Sequence, residues 1–487
     1  MSLTTLTRRR PAVCPSAPGR TRPALRRLAV AAALALPLAA LPAPAHAQTR
    51  AELEEVLQRR VLPNGLEVIV VESHGVPLAT VELTVRNGAF TQTPEYAGLA
   101  HLYEHMFFRA NAAFPEPGAT LDRASELGAV FNGTTQEERV NYYLTVPADS
   151  VEGALRFLEA SARRPLFLPE EMTAEREVVI GEYDRAESSP FFDFENAMTR
   201  ALYPGHFSRK NTIGDRRVIQ TATPEMMRTI QRKYYVPNNS VLIVTGDVNP
   251  TSVFALAERV YGDWERGAEP FKADPIPPIP PVARDTVVLV EKPVSAVTVL
   301  LQWQGPSVGK DRDATYAADV FSDILNDPAS GFQQRLVDSG LWQGVGVNYY
   351  TLNQVGPISI SGQTTPDKLK PAMAALEAEL ARFGDPATFP AEAMAAAKAR
   401  RTVSSAFGAE RASGLAHTIG FWWSVADVDY FMGYVDNMAR QTPEDLVRYA
   451  RTYIIGKPRI TGVLLSPEAR RVAGVTERDL LPVGRAQ

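Results

Sequence analysis

The sequence predicts an α+β protein of two related halves, each an antiparallel sheet with helices packed on one side. Three observations predict it. A proline-rich stretch, ERGAEPFKADPIPPIPPVAR, divides the chain near its middle. On each side of that stretch the chain opens with a pair of strand-like segments. Each pair is then followed by segments of helical periodicity.

Residues 1–47 stand apart from the rest. Their only charged residues are Arg8, Arg9, Arg10, Arg20, Arg22, Arg26 and Arg27, which precede the apolar run LAVAAALALPLAAL. Pro-Ala-His-Ala follows, with Ala45 and Ala47 in the small-residue positions of a signal-peptidase site. The pattern predicts a signal peptide over 1–47, cleavage near Ala47 and a periplasmic product. The apolar run is about 14 residues long and is broken by Pro37, too short for stable membrane insertion. Cleavage would remove seven arginines and no acids, taking the formal charge from −4 to −11 (−4 − 7). It would also remove Cys14, the single cysteine. A metal site in the remainder must then use histidine and carboxylate, and a cysteine nucleophile is excluded. The acidic balance excludes nonspecific nucleic-acid binding, which depends on Lys and Arg at phosphates. With 45% hydrophobic and 22% charged residues, the composition is that of a packed protein rather than a disordered one.

The first domain is expected over 48–264. Segments 66–71 (LEVIVV) and 79–85 (ATVELTV) read as strands, with Asn64-Gly65 as the turn before the first. Helical patterns follow over 98–109 and 151–163. Residues 265–285 form a stiff, extended linker because proline fixes the backbone and removes donors. The second domain, 286–487, opens with strands over 286–290 and 296–303 and continues with helical patterns over 311–325 and 368–382.

The sharpest chemical signal is His101-Leu-Tyr-Glu104-His105. Residues four apart share a helix face, so two imidazoles can converge on one metal ion, with Glu104 close enough to reach a water there. By itself the pentapeptide also suits two surface histidines beside an ion-paired glutamate. A catalytic zinc commonly has three protein ligands, so a third must come from elsewhere. His74 and His206 fall in loops and His417 in a small-residue helical stretch, which suits structural or solvated roles. Carboxylates are the better source: Glu175 and Glu182 lie seven apart on a strong helical pattern, hence on one face, with Val178 and Val179 as its apolar side. One could be a ligand and the other its partner. Without the histidine pair, this segment would read as a solvated acidic helix balanced by Arg176 and Arg185.

H-x-x-E-H followed at a distance by Glu182 in an E-x6-E helix resembles the pitrilysin and mitochondrial-processing-peptidase family, the inverzincins. The resemblance extends through GLAHLYEHMFF, GAVFNGTTQEERVNYY, NTIGDRRVIQTATPEMM and KYYVPNNSVLIVTGDV, and in the second half through SGFQQRLVDSGLW. It implies that His101, His105 and Glu182 hold one Zn2+ per chain, that Glu104 is the general base, and that Glu175 is the carboxylate orienting the site. Phe131, Asn132, Gly133 and Thr134 resemble the family's edge strand, onto which an extended peptide adds through its main chain. Family members able to act alone carry an arginine and a tyrosine seven apart in the second half. Aligned on Gly340-Leu341, those positions here are Leu336 and Gln343; Arg335 is one residue off, and the next tyrosines are Tyr349 and Tyr350. The resemblance therefore implies the zinc-bearing subunit of a heterodimer, half of a four-domain clamshell, whose homologous partner supplies the Arg/Tyr pair; a homodimer is the other possibility.

The expected activity is that of a zinc metalloendopeptidase acting on peptides or unfolded protein segments. The alternative is a non-catalytic peptide-binding or scaffold protein of the same fold, which the missing Arg/Tyr pair favours. A zinc hydrolase acting on other bonds fits the edge strand and the two-half organisation less well.

Overall fold

The computed structural model describes residues 50–409 and 411–482; the expected signal peptide lies outside the described residues. Eleven strands are described: β1 Leu57–Val61, β2 Glu67–Glu72, β3 Leu78–Val85, β4 Val130–Thr135, β5 Val140–Pro147, β6 Ser240–Gly246, β7 Thr286–Glu291, β8 Val297–Gln304, β9 Gly344–Tyr349, β10 Pro357–Thr364 and β11 Ile460–Leu465. The helices that matter below are α1 Leu99–Phe107, α2 Val151–Arg163, α3 Pro169–Glu187, α4 Phe192–Leu202, α5 Pro224–Tyr234, α6 Pro250–Tyr261, α7 Arg312–Leu325, α8 Leu369–Arg382, α9 Ala391–Ala409, α10 Ala412–Val425 and α11 Pro443–Tyr453. The expected strands and helices recur within a residue or two at each end.

The strands form two sheets, ordered β1-β2-β6-β3-β5-β4 and β7-β11-β8-β10-β9. Setting β1 aside, the two orders are the same, with one parallel pair in each, β2 with β6 and β7 with β11. All other pairings are antiparallel. Helices recur in step as well, since β3-α1-β4-β5-α2-α3-α4-α5-β6 matches β8-α7-β9-β10-α8-α9-α10-α11-β11. Even a local signal repeats. Thr223-Pro-Glu and Thr442-Pro-Glu open α5 and α11, each threonine hydroxyl accepting from a first-turn N–H while proline occupies the position where no donor is needed. The proline-rich segment holds one short helix, Pro270–Ala273, before β7 begins.

In the first half, Val68, Val70, Val81, Leu83, Tyr142, Leu144, Leu242 and Val244 face a core shared with α1, α2 and α6. The opposite face is also covered, and by the other half. Leu415, Ala416, Ile419 and Trp423 of α10 pack on Ile69, Val71, Val241 and Ile243. This explains why Thr80, Glu82 and Thr84 of β3 are fully buried although they alternate with apolar residues. The Glu82 carboxylate accepts from the Thr84 hydroxyl (2.8 Å) and pairs with the His417 ring. α4, the counterpart of α10, makes the reciprocal crossing: its Phe194, Met198 and Leu202 pack on Ile460 and Leu464 of β11. Each such buried apolar side chain is worth about 1.5–3 kcal/mol against exposure, so this exchange of helices ties the halves together. No helix among the described residues is long and apolar enough to cross a membrane.

Candidate metal centre

α1 starts at Gly98, whose φ of 94° is the left-handed conformation that glycine adopts without strain. Leu99, Leu102, Tyr103, Met106 and Phe107 anchor one side of the helix in the core. That leaves His101, Glu104 and His105 on the side facing α3 and β4. α3 packs across α1 through Met172, Glu175, Val179 and Ile180. The apolar side expected of this helix is corrected at one position. Val179 is buried, but Val178, about 100° further round, is 48% exposed.

Glu182 reaches the histidine pair. Its Oε2 lies 3.4 Å from His101 Nε2 and 4.0 Å from His105 Nε2. One donor atom from each of His101, His105 and Glu182 falls within 4.8 Å of the other two, the single such His/Cys/Asp/Glu group among the described residues. The imidazoles meet edge to face, centroids 4.9 Å apart. Two imidazole nitrogens and a carboxylate oxygen converging at this spacing suit a divalent ion such as zinc. Burial, and then the neighbouring His105, push His101 down to about 4, so it keeps the neutral form that can donate a lone pair.

Glu175 does not join the three. Burial works to raise its pKa, but the hydrogen bond with His105 Nδ1 (3.0 Å) and the Arg109 guanidinium (2.5 Å) outweigh it, and it stays below the usual range. His105 shows the other side of this contact. Burial lowers its pKa, while the bond to Glu175 and the surrounding carboxylates bring it out above the ordinary value. Glu175 thus fixes which nitrogen of His105 points at the three-donor cluster. Arg109, unforeseen from sequence, lies two residues past the end of α1, where the chain turns and its guanidinium meets Glu175.

Glu104 points to the sheet edge. Its Oε2 accepts from Thr135 Oγ1 at 2.7 Å, and burial raises its pKa above the ordinary carboxylate value. Gly133 lies against it. A Cβ there would stand 2.7 Å from Glu104 Cγ, so glycine is required for the Glu104 side chain and the strand to meet. Phe131, Asn132, Gly133 and Thr134 all lie on β4, the terminal strand of its sheet. The Thr135 backbone also hydrogen-bonds the Glu104 carboxylate, so the Glu104 side chain meets β4 at its last residue. Thr135, one position beyond the expected stretch, was not legible because its role depends on α1 lying beneath the edge.

The other histidines stay apart. His74 sits between Asp247 and Glu72 at the surface, His206 contacts the Pro204 carbonyl, and His417 meets Glu82. In the second half, Leu336 is fully buried. Arg335 is engaged by Glu379 through two bonds of 2.5 and 2.8 Å. Tyr349 is buried with its hydroxyl on the Pro306 carbonyl, and Gln343 is exposed next to β9.

A family model described as "Insulinase (Peptidase family M16)" matches residues 67–214, and "Peptidase M16 inactive domain" matches 221–401. An "Uncharacterized zinc protease" of Rickettsia felis is 23% identical over 325 residues, 66% of this chain and 77% of that one. Among solved structures, a protease from Helicobacter pylori superposes with TM-score 0.74 at 22% identity, covering 84% of this chain and 99% of that one. The periplasmic protease PqqL from Escherichia coli superposes with TM-score 0.72 at 17% identity, covering 88% of this chain and 49% of that one.

Proposed function

The chain belongs to the pitrilysin and mitochondrial-processing-peptidase family, peptidase family M16, and from that premise we propose that it is a zinc-dependent endopeptidase cleaving extended peptides or unfolded protein segments. The observation that carries the proposal is one juxtaposition. The convergent donors of His101, His105 and Glu182 sit beside a further carboxylate, Glu104, which is not one of the three and is held by Thr135 at the terminal strand of the sheet.

His101, His105 and Glu182 would hold the ion, and Glu175 with Arg109 would keep His105 turned toward it. When bound, zinc supplies Lewis acidity toward the scissile carbonyl. An extended substrate pairs with the main chain of β4 at Phe131, Asn132, Gly133 and Thr134, which brings its backbone to Glu104. Thr135 holds Glu104 Oε2 and leaves Oε1 to take a proton from an attacking water and deliver it to the leaving amine. The raised pKa of Glu104 strengthens it as a base for that transfer.

The leader-like pattern of 1–47 supports a periplasmic location, and PqqL is described as a periplasmic protease. With Leu336 buried and Arg335 held by Glu379, this chain offers no Arg/Tyr pair at the expected positions. A homologous subunit supplying the pair would complete a heterodimer. That same observation favours the second reading, a peptide-binding protein without catalysis.

Residues 48–487 should be assayed on a quenched fluorescent peptide library, alone and with any co-encoded homologue, for wild type and Glu104→Gln. Cleavage abolished by chelation and by Glu104→Gln supports the peptidase; cleavage only with the homologue supports the heterodimer. Metal bound without cleavage in any combination turns the reading to the peptide-binding protein.

A further inference from the structure

Gln92 is 3% exposed and lies outside the metal cluster, yet its side chain makes four hydrogen bonds. Oε1 accepts from the Gly98 and Ala100 N–H groups (2.8 and 3.3 Å), and Nε2 donates to the Ser208 and Asn211 carbonyls (2.9 and 3.2 Å). The first bonds satisfy N–H groups at the start of α1 that have no partner within the helix and receive no side-chain cap from Gly98. The second bonds fasten that helix end to the segment running from Ser208.

Two further contacts reinforce this junction. Asp215 N–H donates to the Ala97 carbonyl (3.1 Å). Gly214 packs backbone to backbone on Gly98, so closely that a Cβ on Gly214 would stand 2.1 Å from Gly98 Cα. Beyond Asp215 the segment becomes the short helix Arg216–Gln220, and that helix is fixed to α3. Arg216 pairs with Asp184 and with Glu187 (2.8 Å), while Arg176 Nη1 donates to the Gln220 and Ala222 carbonyls (3.1 and 3.2 Å). The path therefore starts at the helix bearing His101 and His105 and ends on the helix bearing Glu182.

We propose that Gln92 is a positioning residue for the metal centre: through the 208–220 segment it sets the placement of α1 relative to α3, and so the convergence of His101 and His105 with Glu182. This rests on the metal reading above. Outside the three-donor cluster, the direct polar links between the two helices run from His105 and Arg109 to Glu175 and from the Ala110 N–H to Glu171, all at the C-terminal end of α1. At its N-terminal end the other contacts are largely apolar and specify direction poorly, whereas four directional bonds from one buried amide specify it well.

The test is zinc affinity by chelator competition, together with the visible spectrum of the cobalt-substituted protein and the melting temperature of the metal-free protein. Gln92→Leu fills the same space without the bonds. Arg216→Ala cuts the far end of the path at a partly exposed site, and it decides the matter should Gln92→Leu fail to fold. Supporting changes in ligand placement typically weaken metal affinity by about 10- to 100-fold. We expect that loss for Gln92→Leu, a smaller loss for Arg216→Ala, and an altered cobalt spectrum in both. Folded variants with wild-type zinc affinity and wild-type cobalt spectra would overturn the proposal and leave the metal reading intact. A wild-type chain that binds no zinc while folded overturns the metal reading, and this one with it.

Discussion

In the first half, the helix after the second of the paired strands, α1, turns His101 and His105 toward a point that Glu182 of α3 also reaches. In the second half, the corresponding helix α7 carries Asp319 and Asp323 at the same four-residue spacing. There α9, the counterpart of α3, brings a cation of its own, and Arg401 grips Asp323 with bonds of 2.6 and 2.9 Å. Tyr434 donates to Asp319. The sheet edges differ in the same sense. On β4 the Glu104 carboxylate meets the main chain at the last residue, Thr135, whereas in mid-strand on β9 the Asn326 amide both donates to the Val347 carbonyl (2.7 Å) and accepts from its N–H (2.8 Å), and Gln333 donates to the Val345 carbonyl (3.0 Å). Asn326 makes the pair of bonds that an added strand would make. One framework thus leaves a donor cluster and an edge open in one half and fills both in the other. A fold loses a site by occupying it with its own side chains, without any change of topology.

The comparison is broken most severely at the base. Glu104→Gln is expected to lower kcat by about 10²- to 10⁴-fold, the usual worth of a general base, with metal content unchanged; loss of metal instead would make Glu104 a ligand rather than a base.

Asp319→Asn probes the filled half. Burial lifts the Asp319 carboxyl from 3.8 to about 6, against the opposing influence of Arg401 and the Tyr434 hydrogen bond. Between those values the folded chain keeps a proton that the unfolded chain has released, so stability falls as pH rises through that window. The asparagine carries no such cost. It should be more stable than wild type by about 1–3 kcal/mol in urea at pH 7.5, with the gap closing toward pH 4. An advantage independent of pH would contradict this.

Glu175→Gln tests whether the carboxylate behind His105 matters as its bonds indicate. We expect zinc to bind about 10- to 100-fold more weakly, read by chelator competition, with the fold retained. The smallest effect belongs to the closed edge. Asn326→Ala should cost about 1 kcal/mol and permit concentration-dependent self-association, visible in light scattering, because an unprotected edge strand invites pairing. A variant that stays as dispersed as wild type would show that the Asn326 amide is not what keeps the β9 edge closed.

Apart from β4, whose reading as an edge strand came from the family resemblance, the features legible in the sequence were those written in local spacing: the convergence of His101 and His105 from a four-residue step, Glu175 and Glu182 on one face, and the two-part order of the chain. The sequence by itself determined these because helix and strand periods act over a few residues. Tertiary structure alone decided the rest. That α4 and α10 each cross to the other half's sheet, that Thr135 meets Glu104, that Gln92 binds the start of α1 to a segment more than a hundred residues later, and that Arg335 is spent on Glu379 all depend on contacts between residues far apart in the chain. Such contacts are selected by close packing and by the need to pair every buried polar group, constraints that exist only once the whole core has formed.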